Sequence, residues 1–179
     1  RRQQDLCAQA HVIAMRGEAG LLDDLNALAI PFAAYEHVAV FTVAESDAVN
    51  AAIPGAHTKN LFLKDNGGAF WLVTVPSEAR VDLKALPAAI GSKRVSFGKA
   101  EDMARLLGIA PGSVTPLAAI NAPAGSIAVV LDENLAAAET VNVHPLRNTG
   151  TLGLSGAAIL DLLRHWGHAP MVAPIPMQA

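Results

Sequence analysis

Leucines at 21, 22, 25 and 28 recur at helical spacing, and Pro31 ends the run. The stretch "GEAGLLDDLNALAI" therefore predicts a helix. "PFAAYEHVAV" reads as a strand. Thr42 and Glu45 then stand at capping-box spacing and open a short helix that ends before Pro54 and Gly55. The apolar runs "LFL" and "FWLVTV" flank "DNGG", which predicts a hairpin. Its polar lead-in, "HTKN" at 57–60, reads as a solvated entry to the first strand, with His57 and Thr58 as ordinary turn residues. Further on, "VDLKALPAAIG" predicts a helix capped by Asp82 and closed by Gly91. "KRVSF" is a short strand, and "KAEDMARLLG" is a helix ending at Gly108. "APGSVTPLAAI" reads as a punctuated loop running into a strand. "SIAVVLD" is a buried strand, "ENLAAA" a turn or two of helix, and "TVNVHP" and "TGTLGLS" are further strands. "SGAAILDLLRHWG" is a helix with Ser155 as its cap, and "PMVAPI" a final strand. Irregular alternation of strands and helices with at least one hairpin gives α+β (mixed α/β) in a single domain with a mixed sheet.

Composition narrows the classes. A chain of 179 residues with 52% hydrophobic and 16% charged positions is one globular domain with a sizeable core. No uncharged apolar run approaches the ~18 residues of a membrane span. A net charge of −3 excludes a general nucleic-acid binder coated in cations, so any such role rests on a few local ones. The single cysteine, Cys7, excludes an internal disulfide framework and a multi-cysteine zinc site, and it suits a reducing cytoplasm. Residues 1–17 read as an N-terminal extension without the apolar stretch of a secretory signal, and Met15 is a candidate start.

Familiar catalytic motifs are missing: no phosphate loop, no Gly-x-Gly-x-x-Gly and no His-Glu-x-x-His. "GLSGA" at 153–157 falls one residue short of a nucleophile elbow, and helix capping explains Ser155 better. His165 and His168 suit a helix C-terminus rather than a metal site. Three polar clusters remain. "HTKN" holds Lys59 and Asn60; "GSKRVSFGK" sets Lys93, Arg94 and Lys99 around a short strand; "VNVHPLRNTG" ends a strand at His144. Singly, each reads as structure: a strand entry, a charge-protected edge and a structural histidine.

In their order along the chain, "GAHTKNLFLKD", "GSKRVSFG", "PGSVTPLAAIN" and "VNVHPLRNTG" resemble the freestanding prolyl-tRNA editing proteins, the ProX-type members of the YbaK family. The resemblance spans residues 18–175 and implies one editing domain over 18–179, built on a mixed, partly closed sheet surrounded by helices. It implies hydrolysis of misacylated tRNA for proline, with Ala-tRNA(Pro) as the foremost substrate. Alternatives are another small non-cognate residue, such as Cys-tRNA(Pro), or a non-catalytic module that binds tRNA or a synthetase. The family's catalytic positions fall on Lys59, Asn60 and His144. Its substrate loop falls on Gly112, Ser113, Val114, Thr115 and Pro116, whose main chain would meet the carbonyl and α-amino groups. Lys59 would hold the terminal phosphate. His144, with no partner carboxylate in its motif, would bind the aminoacyl group rather than act as a general base. Lys64, Arg94 and Lys99 would contact the acceptor stem. Arg147 stands where relatives would carry lysine, with its charge retained. The resemblance implies no cofactor, no metal, no membrane and no DNA. Mischarged tRNA(Pro) is the expected partner in a cytoplasmic setting, and prolyl-tRNA synthetase is a further partner it allows.

Overall fold

The computed structural model describes residues 15–40 and 42–179. Cys7 and most of the expected extension lie outside the described residues. Among the described residues, seven helical segments and eight strands alternate much as the pattern predicts. Helix α1 (Glu18–Ala27) precedes β1 (Ala33–Glu36) and α2 (Val43–Ala52). Thr42 caps α2 by accepting from Glu45 N at 3.2 Å. The hairpin follows as β2 (Ala56–Asp65) and β3 (Phe70–Pro76). Helix α3 (Leu86–Ile90), strand β4 (Val95–Phe97) and helix α4 (Ala100–Leu107) come next. Beyond a 3-10 helix at Pro116–Asn121 lie β5 (Ala128–Asp132), α5 (Glu133–Ala136), β6 (Val141–Val143) and β7 (Gly150–Leu154). The chain closes with α6 (Gly156–His165) and β8 (Met171–Ala173).

The sheet is mixed, as expected, and its strands run β1-β7-β6-β2-β3-β5-β8, with β4 paired beside β2. Pairing is parallel at β2–β6, β3–β5 and β5–β8, and antiparallel elsewhere. β3 is central and buried on both faces, which accounts for its unbroken apolar run. Its Leu72 joins the larger core with Leu21 and Leu25 of α1, Leu107 of α4, and Ile159, Leu162 and Leu163 of α6. Trp71, Val73 and Val75 face the smaller core, with Leu86 and Ile90 of α3. Each such large side chain withdrawn from water contributes about 1.5–3 kcal/mol.

Several local expectations meet a different outcome. "HTKN" is no loop entry, because β2 begins at Ala56 and those four residues form its first half. The "PLAAI" run is a 3-10 helix rather than a strand. Pro116 supplies the fixed φ of its first position, and Thr115 Oγ1 accepts from Leu117 N at 3.3 Å. Asp82 organises the turn before α3, accepting from Lys84 N and Ala85 N, while the helix itself starts at Leu86.

The "DNGG" turn is held by Asp65, which is buried. Its carboxylate accepts from Gly67 N at 2.9 Å, Ala69 N at 3.0 Å, Trp71 Nε1 at 3.1 Å and Lys93 N at 3.4 Å. Burial opposes the charge, but these donors together hold the carboxyl below its ordinary range. Ser155 caps α6 through Ala158 N at 3.0 Å. The neighbouring Gly156 packs against α5 so closely that a Cβ there would lie 2.1 Å from the Leu135 carbonyl oxygen. Chain crossing, not nucleophile geometry, accounts for "GLSGA". No helix among the described residues is long and apolar enough to cross a membrane.

Candidate functional site

Where β6 ends and β1 has just finished, the sheet borders a cleft of about 320 Å³. Its walls are His57 and Thr58 from β2, Asn142, Val143 and His144 from β6 and its end, and Thr151 from β7. His37 and Val40 follow β1, α2 contributes Ser46, Val49 and Asn50, and Gly112 and Asn148 complete the rim. Among the described residues, no acid, lysine, arginine or cysteine lines it. The chemistry on offer is therefore hydrogen bonding by neutral groups.

Three histidines of this cleft are fixed by main-chain carbonyls, which can only accept. His144 Nδ1 lies 3.2 Å from Gly150 O and so carries the proton, leaving Nε2 as the ring's open acceptor. Burial pushes the His144 imidazolium below its usual range; the Gly150 carbonyl opposes this and nearby His37 adds to it. His37 donates from Nδ1 to Val38 O at 2.9 Å, and its Nε2 meets Thr151 Oγ1 at 2.9 Å. His57 donates from Nε2 to Ile53 O at 2.8 Å, tying the end of α2 to β2. Thr58 Oγ1 donates to Asn142 O at 2.7 Å, joining β2 to β6 across the cleft floor. Asn142 is buried and donates to Pro54 O and Ala56 O at 3.0 and 3.3 Å.

The loop at 112–116 is anchored from beneath. Asn60 Nδ2 donates to Val114 O at 3.0 Å, and Asn60 Oδ1 accepts from Thr74 Oγ1 at 2.6 Å. Gly112 bends the loop with φ +93°, a conformation that a Cβ would strain. Ser113 N–H is already committed to Ala110 O at 3.1 Å. Thr115 and Pro116 are buried, so they shape the loop from below. Of the five loop positions, Gly112 is the one that lines the cleft.

The structure thus brings His144 and Gly112 to one cavity, with Asn60 supporting the loop beside it. Lys59 does not line that cavity. Strand alternation sets its side chain on the face of β2 that carries His57 and Leu61, two residues along from the cleft-lining His57. Lys64 and Lys99 draw together near Asp102. The Arg105 hydrogen bond chiefly lowers the Asp102 carboxyl, and Lys64 and Lys99 add to the effect. Lys64 Nζ and the Arg105 guanidinium lie 5.3 and 5.8 Å from the Phe70 ring, which stacks on Phe62. Arg94 stands apart from them, at a separate hollow with Lys84 and Pro87. No cluster of three His, Cys, Asp or Glu residues that could hold a metal ion occurs among the described residues.

Arg147 is a structural clamp. Its guanidinium bonds Glu18 at 2.7 and 3.1 Å, Glu36 at 2.9 Å and Thr149 Oγ1 at 2.9 Å. The two carboxylates raise its pKa further, Glu18 first. The segment that carries His144 and Asn148 is thereby fastened to α1 and β1.

Residues 37–162 match the family model for the aminoacyl-tRNA editing domain. The chain belongs to the aminoacyl-tRNA editing domain family. Among relatives of this editing domain, the bovine (Bos taurus) prolyl-tRNA synthetase associated domain-containing protein 1 is 36% identical over 159 residues. That alignment covers 86% of this chain and 92% of the relative. The prolyl-tRNA editing protein ProX of Acetoanaerobium sticklandii is 32% identical over 142 residues, covering 79% and 87%. A crystal structure described as a candidate trans-editing enzyme for prolyl tRNA synthetase superposes with TM-score 0.64 at 22% identity, covering 82% and 87%, and shares the fold.

Sequence reasoning missed His37, Thr151 and Asn148, and the cleft-lining positions of α2. His37 had a usable signal, a histidine inside the stretch predicted as a strand, which the structure places just after β1. The others come together only through long-range pairing.

Proposed function

We propose that this editing domain is a deacylase that acts in trans on misacylated tRNA for proline, with Ala-tRNA(Pro) as its main substrate. The observation that carries the reading is His144: a neutral imidazole with an open Nε2 acceptor, beside a glycine-bent loop, in a small cleft without a cysteine or a carboxylate. An aminoacyl ester is already activated, so its hydrolysis needs positioning more than a strong nucleophile. Water adds to the ester carbonyl, the bond to the ribose oxygen breaks, and that oxygen leaves with a proton. His144 Nε2 accepts from the substrate's amino group or from the attacking water. The neighbouring ribose hydroxyl orients that water. A tRNA ending in a 2′-deoxyadenosine should therefore be hydrolysed far more slowly.

Lys59, two residues along β2 from the cleft-lining His57, meets the terminal nucleotide's phosphate beside the cleft. Lys64, Lys99 and Arg105 form a cationic surface for the acceptor stem. With net charge −3, binding is modest and weakens with salt. A synthetase site built for proline excludes alanine poorly, because missing methylenes cost only ~1–3 kcal/mol. A second, smaller site corrects that error, and this need places the protein in the cytoplasm beside prolyl-tRNA synthetase.

The test is a deacylation assay on Ala-, Cys- and Pro-tRNA(Pro). Hydrolysis of the alanyl species with the prolyl species spared supports the proposal. Preference for the cysteinyl species changes the substrate. No hydrolysis of any species refutes the enzyme.

A further inference from the structure

Strand β2 has two hydrogen-bonding edges. Ser77 N–H donates to His57 O and Asp65 N–H to Ala69 O, both at 2.9 Å, so odd-numbered residues of β2 spend their main-chain groups on β3. Even-numbered residues face the other way. Ala56 N–H donates to Thr140 O at 2.9 Å, and Phe62 O accepts from Gly98 N–H at 2.8 Å. Between those points the edge has no partner strand. β6 pairs with β2 only at Ala56 and His57, and β4 only at Leu63, Lys64 and Asp65. The N–H and C=O of Asn60 therefore point into a notch that no strand fills among the described residues. A sheet holds such a pair rigidly, and an unpaired edge is a template for a further strand-like partner.

The notch adjoins the cleft. β6 runs parallel to β2 with Asn142 beside His57, and two residues further along come His144 and Lys59. From the other side, Asn60's own side chain holds the Val114 carbonyl, which keeps the Gly112 loop over the same point.

We infer that the Asn60 main chain is the subsite for the aminoacyl group, its C=O accepting from the α-ammonium and its N–H donating to the ester carbonyl. This rests on the deacylase reading above. An α-amino ester carries an N–H and a C=O on one residue, as a strand residue does, and can complete one rung of an antiparallel ladder. Alanine takes that extended conformation freely. Proline differs: its ring fixes a carbon, Cδ, in one of the directions from which alanine's freely rotating ammonium can donate to the strand edge. Proline is thus rejected by strand geometry as well as by pocket size.

The experiment is amide NMR on the full chain titrated with 3′-alanylamino-3′-deoxyadenosine, which cannot be hydrolysed as an ester. At saturation the Asn60 amide proton should move downfield and exchange with solvent about tenfold more slowly, the equivalent of one net hydrogen bond. The prolyl analogue should leave Asn60 exchange unchanged. If the alanyl analogue shifts Gly112 and His144 but not Asn60, the inference is wrong. Equal protection of Asn60 by the prolyl analogue removes the account of proline rejection. The Ala-tRNA(Pro) assay separates the two layers: hydrolysis with a silent Asn60 overturns this subsite alone, whereas no hydrolysis of any mischarged tRNA overturns both.

Discussion

Asn60 and Val114 are 54 positions apart in sequence, yet the amide of one holds the carbonyl of the other at 3.0 Å. Thr74 Oγ1 fixes the same amide from the opposite side, donating to Oδ1 at 2.6 Å. Asn60 thereby sets the height of the Gly112 loop above β2. Asn60→Asp keeps the shape and the Thr74 contact but faces the Val114 carbonyl with a second acceptor. Losing that bond and opposing two acceptors should cost about 1–3 kcal/mol. Deacylation should fall far more than stability does. Thermal melts alongside single-turnover rates test this, and a variant with near-normal rates would show that the loop needs no such anchor.

Lys59 shares a face of β2 with the cleft-lining His57 but stands outside the lining itself, so its contribution lies in holding the nucleotide rather than in the bond-breaking step. Lys59→Ala should abolish most hydrolysis. Part of the loss should be recovered at high enzyme concentration, and the residual rate should depend less on salt because one phosphate contact is gone. A variant with normal turnover at low enzyme concentration would remove Lys59 from the site.

Much of the fold was legible because its determinants are local. The Asp65 turn, the Thr42 and Ser155 caps and the glycine stops at 91 and 108 each depend on residues within a few positions. "PLAAI" misled because a short apolar run fits strand and helix alike, and the deciding features were Thr115 and Pro116 just before it. "HTKN" misled because polarity was taken as solvation, whereas His57 and Thr58 wall a cleft and are polar within a strand paired to β3. The candidate site was legible only in part. Lys59, Gly112 and His144 could be named by resemblance. That Lys59 and Asn60 face opposite ways depends on where β2 begins, and the position of His37 opposite His144 depends on the β1–β7 pairing, over a hundred residues apart in sequence.

His144 carries a pH signature. Burial lowers its pKa from the ordinary 6.5, so the folded protein binds this proton less readily than the unfolded chain does. Stability from this group is therefore complete above about pH 6.5, declines as pH falls through that value, and is lost below the depressed folded pKa. The lowered carboxyls of Asp24 and Asp65 have an ordinary value of 3.8, so they act in a more acid window. Denaturant melts of the native chain and His144→Gln, taken between about pH 7 and pH 5, should show a shallower loss in the variant. Parallel curves would mean that His144 is no less basic folded than unfolded.

Gly156 gives the sharpest stability prediction. A Cβ at this position would meet Leu135 O at 2.1 Å and Ala136 O at 2.6 Å, both main-chain atoms with no rotamer to change. Gly156 also donates its N–H to Ala138 O at 3.0 Å, so the start of α6 cannot move off without losing that bond. Against this, alanine is the better helix former by about 1 kcal/mol. Overpacking against rigid backbone outweighs that gain, and Gly156→Ala should lose roughly 1–3 kcal/mol net. Ala157→Gly, one position along on the exposed face, provides the control, because there only the propensity term acts. Chemical denaturation of both variants decides the matter. If Gly156→Ala were as stable as the native chain, α5 and α6 would not approach as closely as this packing requires.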